Sequence, residues 1–196
     1  MQANLRGFVS YGFDSRKPCA YHRGLMSGWL HTWYGLPDLD IFAEREAEMH
    51  GEIELKQLPR LRDMLHADGG SVRIGLRFGP RHAGWLGMHM ECETTLQLLC
   101  QRCLEPMILR VATMTKLGLV ESAASESLLP EAYEPVSLDG ERVKLAQFVE
   151  DELLITVPLV PKHERLEECG SIARMLDDIG QEGGASTTKS APPNSH

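Results

Sequence analysis

The sequence predicts an α+β fold: an antiparallel β-meander with a few short helices packed on one side, and disordered N- and C-terminal tails. Three observations predict it. Apolar residues alternate with polar ones over residues 72–78, 86–100 and 107–112, the period of strands with one buried face. One clear amphipathic stripe follows at helical spacing, made by Leu145, Phe148, Val149 and Leu153. Regular patterning is confined to residues 37–170, and beyond Gly180 the chain is mostly Gly, Ser, Thr and Pro.

The elements follow in order. Residues 1–36 read as a poorly ordered N-terminal extension, with Met26 an alternative start. Arg6, Arg16, Lys17 and Arg23 against Asp14 give it a net +3, leaving −11 for the rest of a chain with formal net charge −8. A sharper reading makes it a basic-aromatic arm, with Trp29, Trp33 and Tyr34 near its end, that contacts RNA by charge and stacking. After Pro37, Asp38 or Asp40 caps a helix running through Ile41, Phe42 and Ala43 to about Met49. Met49, Gly51, Ile53 and Leu55 alternate with polar residues as a half-buried strand. Leu58, Leu61 and Leu65 then recur at helical spacing, with Pro59 in the first turn and Asp68-Gly69-Gly70 as the stop.

The strand at 72–78 is broken by Gly79-Pro80. The strand that starts near Leu86 continues through Leu96, Leu98 and Cys100 into Cys100-Gln101-Arg102-Cys103, and another strand begins beyond Pro106. The Cys-x-x-Cys is therefore expected at the turn between the last two strands of the meander. Residues 121–142 read as a loop. In the helix that follows, Glu150, Asp151 and Glu152 point away from the apolar stripe, and Pro158 and Pro161 end the regular structure. Residues 171–179 read as a short helix at the head of a C-terminal segment, 171–196, that ends in a disordered tail.

Composition removes several function classes. The acidic balance argues against nonspecific coating of nucleic acid, which needs a surplus of Lys and Arg. Five cysteines, Cys19, Cys92, Cys100, Cys103 and Cys169, are too few and too irregular for a secreted disulfide scaffold. No stretch is long and apolar enough for a membrane span, and the N-terminus lacks the apolar run of a secretory signal. A cytoplasmic protein without a small-molecule substrate is expected.

Three candidate sites stand out. Cys100 and Cys103 supply two soft ligands on one turn, and His163 and Cys169 could complete a three-thiolate, one-imidazole zinc tetrahedron. The alternative is that the four never meet and Cys100, in step with Leu96 and Leu98, is a buried apolar residue. A thiol redox pair has the same spacing but needs a helix N-terminus to lower a thiol pKa, and here a strand follows. Arg73 and Arg77 share the non-core face of one strand, and Arg81, Arg102 and Arg110 extend them into a candidate RNA-binding patch of phosphate-matching forks. The alternative is an ordinary solvated sheet face. Glu150, Asp151 and Glu152 diverge by about 100° per residue on a helix, so they suit a solvated face or a basic partner better than a convergent acid–base pair. No catalytic residues are assigned, because no nucleophile set, phosphate-cradling loop or convergent carboxylates stand out.

Cys100-Gln101-Arg102-Cys103 resembles the central motif of the YceD family of large ribosomal RNA subunit accumulation proteins. Residues 129–135 (Leu-Pro-Glu-Ala-Tyr-Glu-Pro), 149–153 (Val-Glu-Asp-Glu-Leu) and 158–161 (Pro-Leu-Val-Pro) resemble further blocks of that family in order and spacing. The resemblance covers roughly residues 37–170. It implies a noncatalytic factor for synthesis, processing or accumulation of the large-subunit (23S) rRNA, acting on precursor rRNA or an early assembly particle. Some members of the family carry an extra cysteine cluster where this chain has His163 and Cys169. Two other readings stay open. One is an acidic adaptor that holds ribosomal assembly proteins without touching RNA, and the other is a Cys-x-x-Cys thiol oxidoreductase.

Overall fold

The computed structural model describes residues 27–82, 84–138 and 140–170, together with residue 175. The expectations for residues 1–26 and for the tail beyond residue 170 lie outside the described residues, apart from Met175.

The chain enters through a 3-10 turn, Ser27–His31, and a two-residue strand, β1 (Trp33–Tyr34). Residues 27–36 therefore differ from the extension expected of them. Leu30 is fully buried, and Trp29 lies so close over Gly51 that a Cβ there would stand 2.7 Å from its ring. The physical reason is a complementary pair, a large ring and a strand position without a side chain. Gly51→Ala should force the Trp29 ring to move, lowering stability by roughly 1–3 kcal/mol and shifting tryptophan fluorescence. Unchanged emission and an unchanged melting midpoint would mean that the ring does not rest there.

Helix α1 (Leu36–Glu44) has Gly35 as its N-cap, and the Asp38 carboxylate accepts the Gly35 N–H at 2.8 Å. It ends five residues before the expected Met49. Glu46, in the left-handed region at φ 45, then turns the chain into β2 (Glu48–Glu54). A 3-10 turn, Leu55–Gln57, and a single helical turn, α2 (Pro59–Arg62), replace the longer helix expected through Leu65. Leu58 and Leu61 are buried, so the apolar spacing reports burial over one turn only.

Three long strands form the centre: β3 (Ser71–His82), β4 (Trp85–Leu99) and β5 (Pro106–Val120). Gly79-Pro80 does not end β3. It produces a register shift between Phe78 and Arg81, a bulge after which pairing with β4 resumes. Residues 121–142 are more than a loop. They contain a 3-10 segment, Ala123–Leu128, and β6 (Glu134–Ser137), which pairs parallel to Leu117–Val120 of β5. The sheet order is β2-β3-β4-β5-β6, antiparallel throughout except at β6. A small second sheet pairs β1 with β7 (Val143–Lys144).

Helix α3 (Leu145–Thr156) and α1 lie on the apolar face of the sheet. There Val72, Ile74, Leu76, Phe78, Met88 and Met90 pack with Leu39, Ala43, Phe148, Val149 and Leu153. The opposite face is open over most of its area. Among the described residues it is covered only near the Trp85 end of β4, where Leu129 fills the space a side chain at Gly118 would need and Tyr133 lies against Gly87.

Candidate metal centre and charged surfaces

The turn between β4 and β5 carries Cys100-Gln101-Arg102-Cys103. The Cys100 N–H donates to the Glu105 carbonyl at 3.0 Å, and the Leu104 N–H donates to the Cys100 carbonyl at 2.8 Å. Leu104 takes a left-handed conformation, φ 60, to close the turn. These constraints aim both thiols to one side. The segment after α3 comes to them, with the Gln101 N–H donating to the Pro161 carbonyl at 2.8 Å. Pro158 and Pro161 keep this segment out of helix, and a 3-10 turn, Leu166–Cys169, brings the last cysteine in.

The four sequence-nominated ligands meet. One ligand atom from each of Cys100, Cys103, His163 and Cys169 lies within 4.8 Å of all the others. His163 Nδ1 stands 3.5 Å from Cys103 Sγ and 3.6 Å from Cys169 Sγ. Bonds of about 2.3 Å to sulfur and about 2.05 Å to nitrogen, at tetrahedral angles, put S and N about 3.6 Å apart. The three cysteines are buried and His163 is half-buried. Met107 and Leu166 pack against the cluster and limit water access.

The thiols of the cluster differ in how readily they ionise. Burial disfavours the Cys100 thiolate, but backbone hydrogen bonds from His163, Cys103 and Arg102 outweigh it and bring the thiol down to about 5. Burial, then the neighbouring thiols, push Cys103 up to about 11. One thiolate is thus favoured beside a neighbouring thiol that keeps its proton. Arg102 brings a positive charge to the cluster, and its Nε–H donates to Cys169 Sγ at 2.9 Å. Its Nη2 donates to the His163 and Arg165 carbonyls at 3.2 and 3.1 Å, tying the second ligand segment to the first. No helix begins at Cys100 or Cys103, so the helix dipole that activates a redox thiol is missing at this turn. Cys92, in the sheet core, is separate: burial first, then Glu152, pushes its thiol up to about 12.

The five arginines nominated for RNA do not form one free patch. Arg73 pairs with its cross-strand neighbour Glu93 at 2.9 Å, and Arg77 with Glu48 at 2.7 Å. Arg81 joins Asp40 of α1 and Glu121. Arg102 turns toward the cysteine cluster. Arg110 is exposed and has no ion pair among the described residues. A period-two pattern placed Arg73 and Arg77 on one face, but it could not show the acids opposite them.

The acidic helix positions divide in an unexpected way. Glu150 is a correction: its side chain is buried and turned toward α2. Its carboxylate accepts the Arg60 and Leu61 N–H groups at 2.7 and 3.2 Å and the Arg60 Nε–H at 3.0 Å. The first N–H groups of α2 have no acceptor within so short a helix, so a carboxylate from across the core satisfies them. Asp151 forms an exposed pair with Arg60 at 2.7 Å, and Glu152 is half-buried. Sequence reasoning missed Glu150 as a structural residue, although its place beside Val149 and Leu153 was a usable signal.

A second polar cluster, also missed, lies where residues 129–133 cross the open face. His89 Nε2 is 3.1 Å from Tyr133 Oη, and Tyr133 meets the Trp85 ring edge-on at 5.0 Å. Burial, followed by Lys116 and Arg77, holds the His89 pKa below its ordinary value.

Comparison with known proteins adds to this geometry. Residues 88–185 match the family model for large ribosomal RNA subunit accumulation protein YceD. The chain is similar to the large ribosomal RNA subunit accumulation protein YceD of Haemophilus influenzae, with 30% identity over 129 residues that cover 65% of this chain and 73% of that protein. No solved structure matches. Among the described residues no helix is long and apolar enough to cross a membrane.

Proposed function

The chain belongs to the YceD family, and on that premise we propose that it is a noncatalytic cytoplasmic factor for accumulation of the large-subunit (23S) rRNA. It acts by binding precursor rRNA or an early assembly particle. The observation that carries this reading is the family match over residues 88–185, a span that holds most of β4, the cysteine turn, β5, the Tyr133 crossing and α3. We also propose that Cys100, Cys103, His163 and Cys169 hold a structural zinc ion. Support comes from the spacing of their ligand atoms and the soft, mostly thiolate donor set. The metal would join the β4–β5 turn to the segment after α3, and no reacting group is placed at it.

Depletion of the protein, followed by measurement of mature large- to small-subunit rRNA with precursor ends mapped, tests the function. A selective fall in the large-subunit RNA is expected. Persistent precursor ends would assign the role to processing, and loss without precursor to synthesis or protection. A normal ratio with normal ends would end the proposal.

One observation favours a second reading, a protein-interaction adaptor that never touches RNA. Arg73, Arg77 and Arg81 are each compensated by carboxylates, which lowers their value as phosphate ligands. Crosslinking separates the readings, since RNA adducts favour the first and protein adducts alone the second.

A further inference from the structure

Strand β5 is paired along its full length on one side only. On the other side β6 covers Leu117–Val120, and the chain before β6 leaves the edge at Tyr133 to cross the open face. The stretch 106–116 has no strand partner on that side among the described residues. The direction of its free groups follows from the ladder. The Cys100 N–H bonds the Glu105 carbonyl, and the β4–β5 register runs without a shift from Leu99↔Pro106 to Trp85↔Val120. Antiparallel alternation then turns the N–H and C=O of Met107, Leu109, Val111 and Thr113 toward β4, and those of Ile108, Arg110, Ala112 and Met114 outward. Two bonds check this phase: the Val120 carbonyl accepts Leu138 N–H on the β6 side, and the Gln97 carbonyl, opposite Ile108, accepts His66 N–H on the β3 side.

The edge is unusual in its side chains as well. Ile108 is 65% exposed and Met114 66%, and no acidic residue occurs between Pro106 and Val120. Arg110 and Lys116 are exposed, and neither has an ion pair among the described residues. At the opposite edge of the sheet, β2 carries Glu48, Glu52 and Glu54, charges of the kind that discourage strand addition. A second copy docking on β5 would place Arg110 and Lys116 of both chains along one seam, a repulsive arrangement.

We propose that the outer edge of β5 is a docking site for an extended segment of a partner protein, with acidic residues alternating with apolar ones. The segment adds as a sixth strand. Its backbone pairs with Ile108, Arg110, Ala112 and Met114, and its carboxylates face Arg110 and Lys116. The proposal does not depend on the rRNA reading, because the edge lacks a strand partner among the described residues whatever pathway the chain serves.

The test uses the full chain. Residue-resolved hydrogen exchange on the free protein should show fast exchange at Ile108, Arg110, Ala112 and Met114, and slow exchange at their odd-numbered neighbours. A fluorescent decapeptide alternating Glu with Ile and Val should bind. Ala112→Pro removes an outward N–H and should weaken that binding at least roughly tenfold at an unchanged melting midpoint, while Thr113→Pro should unfold the sheet. Arg110→Glu with Lys116→Glu should reverse the preference toward a peptide alternating Lys with Ile and Val. The proposal is overturned by slow exchange at the four outward amides, which would mean the edge is already occupied. It is equally overturned by Ala112→Pro unfolding as Thr113→Pro does, or by equal peptide binding to wild type and Ala112→Pro. If a single-stranded RNA oligonucleotide binds through Arg110 and Lys116 while the acidic peptide does not, the edge belongs to RNA and the proposal fails.

Discussion

Cys103→Ser is expected to strip bound zinc from the chain and lower its stability by roughly 3 kcal/mol or more. The expectation follows from geometry. Cys103 Sγ sits 3.5 Å from His163 Nδ1 inside a buried cluster of four soft donors. Losing one thiolate removes a bond to the metal and leaves a hydroxyl that binds zinc poorly. Metal analysis of protein purified without chelator should give about one zinc per wild-type chain and little in the variant. Chelator should lower the wild-type melting midpoint toward that of the variant and leave the variant unmoved. Arg102→Ala keeps all four ligands but removes the guanidinium from Cys169, so its zinc affinity should fall about 10–100-fold. Zinc-free wild type, or a Cys103→Ser chain that still holds a full equivalent, would remove the metal from the account.

Glu150→Ala is expected to cost roughly 3 kcal/mol, and Asp151→Ala, one residue along the same helix, no more than about 0.5 kcal/mol. The contrast is a matter of burial. The Glu150 carboxylate satisfies two backbone N–H groups of α2 and the Arg60 Nε–H from inside the core, and alanine would leave the two backbone N–H groups without an acceptor. Asp151 and Arg60 each keep about half of their side-chain surface in water, at 53% exposure, so breaking their pair exchanges one solvated arrangement for another. Urea unfolding of the two variants and of Glu150→Gln decides it. Equal midpoints for Glu150→Ala and Asp151→Ala would show that the carboxylate does not cap α2.

The sheet and half of the Cys/His cluster were legible in the sequence because both are written in local spacing. Strict alternation fixed the buried faces of β3, β4 and β5. The Cys-x-x-Cys in the β4–β5 turn marked two ligands, and the prolines after α3 marked a segment free to approach them. What escaped was set by partners distant in sequence. Trp29 reads as part of a loose arm until Gly51 is seen beneath it. Four residues, 134–137, carry too little pattern to announce β6, which exists because β5 offers it an edge. The phase of Glu150 on α3 is visible, but the donors of Arg60 and Leu61 lie about ninety positions earlier. Arg73 and Arg77 were assigned the right face, and the register with Glu93 and Glu48 changed what that face can do.

The separation between the two halves of the cysteine cluster has a consequence for how the chain is made. Cys103 and His163 stand 60 positions apart, so a ribosome completes the β4–β5 hairpin well before it supplies the third ligand. During that interval the hairpin presents two thiols and no means of closing a tetrahedron. If the proposed zinc binds this cluster, its capture at that stage would be loose and reversible, tightening only when His163 and Cys169 arrive. Closing so long a loop is entropically slow, and an ion held by the first two sulfurs would give the late segment a fixed point to find. On the zinc proposal, metal supply would therefore act on the final step of maturation, and starvation for the ion would accumulate chains with a formed sheet and an unfastened segment after α3.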